Sequence, residues 1–231
     1  MSFIPGVFYI FATLLLDKQD KEPQDFIFIT FVWGLVIPFI VALPMNAALT
    51  NILSSFISWD YNAILVSISA PIIEEIVKGS FVFYLFFFQK KNFNGMEDGL
   101  IYSCIVGFGF AISENVYYYS LAMSQASTHE VVFQFFSRGI VSSFAHPLFT
   151  SMTGIGLGMA IYFFNKWVRI FAPIVGFILA VSLHSIWNSA GHIIKNGFFI
   201  SIVFLFIPIM LVLVVLVLLG LLKNRKHNEK Y

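Results

Sequence analysis

The chain has 231 residues, of which 59% are hydrophobic and only 11% charged, with a mean hydropathy of +0.88 and a formal charge of +1. A soluble domain carries about 25% charged residues, so this composition excludes one and points to an all-α integral membrane protein, a single domain over 1–231. The lone Cys104 excludes an intrachain disulfide framework and a Cys-based zinc site, and the balanced charge gives no reason to expect a nucleic-acid partner.

About 20 apolar residues cross a bilayer. Apolar runs predict helices at 2–16, 26–50, 61–88, 99–121, 131–164, 168–190 and 198–222, a polytopic bundle of about seven transmembrane helices. The first is short, and the fifth is long enough to tilt. The start lacks a basic n-region and a small-residue cleavage site, so it reads as a first helix and not as a removable signal. Lys18, Lys21, Lys90, Lys91, Lys166, Arg169 and the basic tail at 223–231 fall on one side of this topology, whereas the alternate loops carry only Lys195. The positive-inside rule then places the C-terminus in the cytoplasm and the N-terminus outside.

Taken in order, the polar groups begin with the charged turn D-K-Q-D-K-E-P at 17–23, a helix stop on the cytoplasmic side. Pro38 and Pro44 are expected to kink the second helix, which membrane helices tolerate. The third carries A-P-I-I-E-E-I-V-K at 70–78, two carboxylates and an ammonium where each charge costs roughly 2.5–3.5 kcal/mol. Glu74 and Lys78 are spaced i, i+4 and Glu75 and Lys78 i, i+3, so one carboxylate can be neutralised within the helix. The other projects about 100° away and is free to act. Glu75 is the choice for that chemical role, with Glu74 open as the alternative. The plain alternative for the whole motif is a structural ion-pair network.

The fourth helix leads a small-residue face, Gly107 and Ala111, into Glu114 and Asn115. Glu114 has no basic residue on its own helix, so burial requires a proton, a partner from another helix or a metal. In the fifth, Ser142, His146, Thr150 and Gly154 form a ladder on one face, and Pro147 can open the backbone a turn earlier and re-aim the imidazole. Arg138 lies inside this span, to pair with a carboxylate or to snorkel outward. The sixth sets His184 and Asn188 at i, i+4, an imidazole and an amide suited to zinc or to holding a water and an oxyanion. Counted from the expected outer ends, Glu114 and His184 lie roughly 10 Å deep and Glu75 and His146 roughly 20 Å, at 1.5 Å per residue. One polar cavity in the middle-to-outer membrane, built by helices within about 61–190, fits these depths.

Together E-E-x-x-K at 74–78, F-A-x-x-E-N at 110–115, H-x-x-x-T at 146–150 and H-x-x-W-N at 184–188 resemble the PrsW intramembrane proteases, as do the turn at 17–23 and D-G-L-I-Y at 98–102. That family is distantly related to the CAAX prenyl proteases, the bacteriocin-processing proteins and the Aph-1 scaffold of γ-secretase. The resemblance implies a multi-pass protein of the bacterial cytoplasmic membrane. Its expected partner is a single-pass substrate, a membrane-spanning anti-sigma factor cut at site 1 near its extracytoplasmic side in a stress response. Carried over by motif, Glu75 is the base that activates water, and His184 and Asn188 are the polarising groups. Glu114 stands where the CAAX pattern has a histidine.

Two mechanisms suit these residues. In one, zinc is held by Glu114, His146 and His184, with Asn188 assisting and Glu75 as base. In the other, a metal-free glutamate protease, Glu75 activates water while His184 and Asn188 form the oxyanion site. A proton-coupled transporter and an Aph-1-like scaffold are the competing classes. No inverted repeat of the transporter kind is visible.

Overall fold

The structure, a computed structural model, describes residues 22–125, 131, 132 and 134–193. The expected helices at 2–16 and 198–222, most of the 17–23 turn and the basic tail lie outside these residues. Among the described residues every regular element is helical: α1 (Gln24–Ser54), α2 (Tyr61–Ile64), α3 (Ala70–Phe88), α4 (Met96–Gln125), α5 (Ala145–Tyr162) and α6 (Lys166–Ile193). Three of them are long and apolar enough to cross a membrane, over Gln24–Ser54, Met96–Ser124 and Lys166–Ala190. α3 interrupts its apolar run with Glu74, Glu75 and Lys78, and α5 is diluted by His146 and by glycines and hydroxyl residues.

α1 continues as one helix through Pro38 and Pro44. Its buried residues recur every fourth position, Thr30, Gly34, Pro38, Ala42, Asn46 and Thr50, while Phe28, Ile40 and Ile52 among others face outward. A stripe of small and polar residues under an apolar exterior is the membrane pattern, since tight backbone approach and not hydrophobic burial drives helix association in lipid. Gly34 packs against the backbone of Val106, and Gly109 against Phe31 and Leu35, so side chains at these notches would collide with the facing helix. The Ser113 hydroxyl of α4 donates to the carbonyl of Leu35 across the same seam.

α4 is thereby the central helix, buried over most of its length between α1 and α5, with α6 packed on α5 and α3 lying across α1, α5 and α6. Gly99 and Gly154 bring α4 and α5 together, and Gly107 meets the backbone of His146 and Pro147.

Two departures from regular α-helix border the polar centre. Within the expected 61–88 helix, residues Leu65–Ser69 form a π-turn in which the Ala70 N–H reaches back five residues to Leu65. The next bond in that register would run from residue 71 to Val66, but Pro71 has no N–H to give. The expected 131–164 helix is likewise not continuous. It passes through a π stretch, Phe135–Val141, and a 3-10 turn, Ser142–Phe144, before α5 starts one residue ahead of His146. Such wide turns often mark functional sites.

Candidate active site

The adjacent carboxylates of α3 are both buried, and the fold gives them different surroundings. Glu75 is fully enclosed and held on every side. Its Oε1 accepts from the Lys78 ammonium and from Nδ1 of His184 on α6 at 2.9 Å. Its Oε2 accepts from the Thr150 hydroxyl of α5 at 2.9 Å. Of the two spacings open to Lys78, the i, i+3 pair forms. Three elements thus satisfy one buried charge, as a low-dielectric interior requires.

Glu74 is held more loosely. The Asn46 amide of α1 donates to its Oε1 at 3.5 Å, while Oε2 and the His184 Nε2 lie 3.7 Å apart, each buried and without a hydrogen-bond partner. Because His184 gives its Nδ1–H to Glu75, Nε2 carries a lone pair, a tautomer fixed by the network around it. A lone pair facing a carboxylate oxygen is unfavourable unless something positive or protic is shared between them, and unpaired buried polar atoms are uncommon in proteins. His146 stands beside this pair, its ring centroid 5.0 Å from that of His184. Glu74, His146 and His184 each bring a ligand atom within 4.8 Å of the others and form a group that could hold a metal ion. Two imidazoles and a carboxylate are the donor set of many catalytic metal sites.

Glu114 serves the second histidine. Its Oε2 lies 2.9 Å from Nε2 of His146 and 2.6 Å from a guanidinium nitrogen of Arg138. Nδ1 of His146 is 3.3 Å from the Lys78 ammonium, which also lies 4.6 Å over the Phe110 ring. Arg138 stacks over Tyr118 at 3.8 Å. The Arg138 and Glu114 side chains are 27% and 18% exposed, whereas Glu75 and Lys78 are sealed, so the group opens on the Arg138 side.

The structure therefore brings together Glu74, Glu75, Glu114, His146 and His184 from four helices. Within that cluster Glu74, and not the expected Glu114, completes the possible metal group. The Lys78-paired carboxylate is Glu75, the one expected to stay free. Among the described residues, Asn188 makes no hydrogen bond to the cluster. Its amide donates to the carbonyl of Val66 at 3.3 Å, the acceptor that Pro71 leaves without a helical donor. Asn46 is a member the sequence reading did not include. Its signal was a lone amide on the every-fourth-residue stripe of α1.

Thr150 offers a contained test of the Glu75 cage. Thr150→Val keeps the β-branched shape and removes one donor to a buried charge, an interaction worth about 1.5–3 kcal/mol. The thermal midpoint of the full chain in detergent is expected to fall accordingly. An unchanged midpoint would show that Glu75 does not depend on the hydroxyl.

A scan against protein-family models matches residues 22–218 to PrsW-protease, described as the PrsW family intramembrane metalloprotease. Among curated proteins, the chain is 29% identical to Protease PrsW of Geobacillus kaustophilus over 80% of its own length and 75% of the relative's. It is 26% identical to Protease PrsW of Oceanobacillus iheyensis over 95% and 91%, and 25% identical to that of Clostridioides difficile over 81% and 76%. No solved structure matches.

Proposed function

The chain belongs to the PrsW family of intramembrane proteases, and from that premise we propose that it is a zinc-assisted endopeptidase acting on a single-pass membrane protein. The observation that carries the zinc reading is the unpartnered Glu74 Oε2 facing the unpartnered His184 Nε2, with His146 alongside. Glu74, His146 and His184 would hold the ion. An ion held there would supply Lewis-acid polarisation of a carbonyl and activation of water near neutral pH. The remaining steps belong to the protein. Glu75, anchored by Lys78 and Thr150, holds His184 in the tautomer that leaves Nε2 bare. Glu114 accepts from Nε2 of His146, which puts the lone pair of that ring on Nδ1, 3.3 Å from the Lys78 ammonium. Carboxylate–imidazole pairs of this kind orient metal ligands. The partly open Glu114–Arg138 side admits water. A substrate helix must unwind at the site, because helical backbone hides its carbonyls.

Site-1 cleavage of an anti-sigma factor fits this position. Glu114 lies about 27 Å along α4 from its start at Met96 and about 17 Å from its end at Gln125, at 1.5 Å per residue. The cluster is therefore nearer the face opposite Lys90 and Lys91, the face that the positive-inside rule makes extracytoplasmic. One observation favours a metal-free glutamate mechanism instead: the Lys78 ammonium beside Nδ1 of His146 already supplies a cation. In that case Glu74, the carboxylate with an uncommitted oxygen, takes the proton from water.

Metal analysis by mass spectrometry on the detergent-purified full chain, with cleavage of a single-pass substrate followed in parallel, separates these mechanisms. The expected result is about one zinc per chain, as a mononuclear site implies, lost together with cleavage in His146→Ala/His184→Ala. Cleavage by metal-free protein would overturn the zinc reading and leave the glutamate mechanism.

A further inference from the structure

Arg138 is the cation in this cluster with no part in the steps above. We propose that it is a positioning residue, which acts through Glu114 to fix the ring orientation of His146 and its Nε2–H hydrogen bond. This rests on the reading that His146 helps to hold the zinc.

The two histidines are served by parallel relays. Lys78 holds Glu75, and Glu75 takes the N–H of His184. Arg138 holds Glu114, and Glu114 takes the N–H of His146. A carboxylate paired with a guanidinium only accepts hydrogen bonds, so Nε2 of His146 carries the proton and Nδ1 carries the lone pair. Nδ1 is the atom turned toward Lys78.

The second relay needs its anchor more than the first. His146 is the second residue of α5, directly after the π and 3-10 turns, before the regular helical ladder is established. Arg138 sits on that π stretch, Glu114 on α4, and their ion pair ties the two together. The guanidinium is itself held twice, by Glu114 and by the face of Tyr118. Its backbone carbonyl accepts from the Asn115 amide at 3.4 Å and the Ser143 hydroxyl at 3.1 Å. A planar fork that stacks and bonds at once is a task for arginine and not for lysine. Glu114 keeps the His146 N–H as a partner when Arg138 is removed, so the variant should fold.

The test uses the full chain in detergent as wild type, Arg138→Gln and Arg138→Lys. Zinc is titrated against a fluorescent chelator, and the ring nitrogen shifts of His146 are recorded by NMR on metal-free protein. Arg138→Gln is expected to weaken zinc about 10- to 100-fold, the range for losing an outer-shell partner, and Arg138→Lys to recover part of that. The Nε2 shift of His146 is expected to move in Arg138→Gln as its hydrogen bond to Glu114 loosens, while Nδ1, which faces Lys78, keeps its lone pair. A ring signal unchanged in Arg138→Gln overturns the proposal whatever the zinc result. Wild-type protein that binds no zinc overturns the metal reading instead, and the ring signal still decides the role of Arg138. Should Arg138→Gln fail to fold, Arg138→Lys, which keeps the charge without the planar fork, is read in the same way, with a smaller shift expected.

Discussion

Glu74→Gln is expected to abolish substrate cleavage, by more than about 100-fold, and to remove bound zinc, while the protein stays folded. The loss should exceed the 10- to 100-fold typical of an outer-shell change, because Glu74 is itself placed to touch the ion or the water. The fold should survive because little depends on the charge. Its hydrogen-bond partner is the Asn46 amide at 3.5 Å, and its Oε2 is unpaired. A glutamine of the same shape leaves no stranded cation behind. Zinc stoichiometry and cleavage, measured on protein whose thermal midpoint matches wild type, check this. Full zinc content with full cleavage would exclude Glu74 from the site. Zinc lost with cleavage intact would move the chemistry to the metal-free mechanism without Glu74 as base.

That assignment also shows where the sequence stopped informing. Charges in an apolar run marked the place, and helical spacing put Glu74, Glu75, Glu114, His146 and His184 on four helices at compatible depths. Spacing alone did not decide which carboxylate Lys78 takes, since i, i+3 and i, i+4 are both within reach. His184 and Thr150 decided it, by converging on Glu75 from distant positions. Glu114 looked like a metal ligand because its own helix offers no cation, but Arg138 reaches it across the fold. Asn188 shares the face of His184, yet it turns to a carbonyl freed by the missing N–H of Pro71. Asn46 was hidden for another reason. In a helix apolar on every side, the buried face is marked by small residues and not by hydrophobic ones, so the usual amphipathic signal is flat.

The largest stability effect is expected at the pair the structure seals most completely. Lys78→Met leaves Glu75 as a buried charge without its cation, and Glu75→Gln strands Lys78 in the same way. Breaking a buried pair from one side costs about 3–5 kcal/mol. Either change should lower the thermal midpoint in detergent and the yield of folded protein. The double variant Lys78→Met/Glu75→Gln removes both charges and keeps an oxygen to accept from His184, so much of the loss should return. The single and double variants form a cycle that isolates the coupling between the two residues. If the double variant is no more stable than either single one, the pair is not the anchor its geometry describes. Because its fold recovers, the double variant also decides what Glu75 does. Zinc affinity and cleavage that fall together, by about 10- to 100-fold, mark Glu75 as the residue that positions His184. Undiminished zinc binding with cleavage abolished would mark it instead as the base.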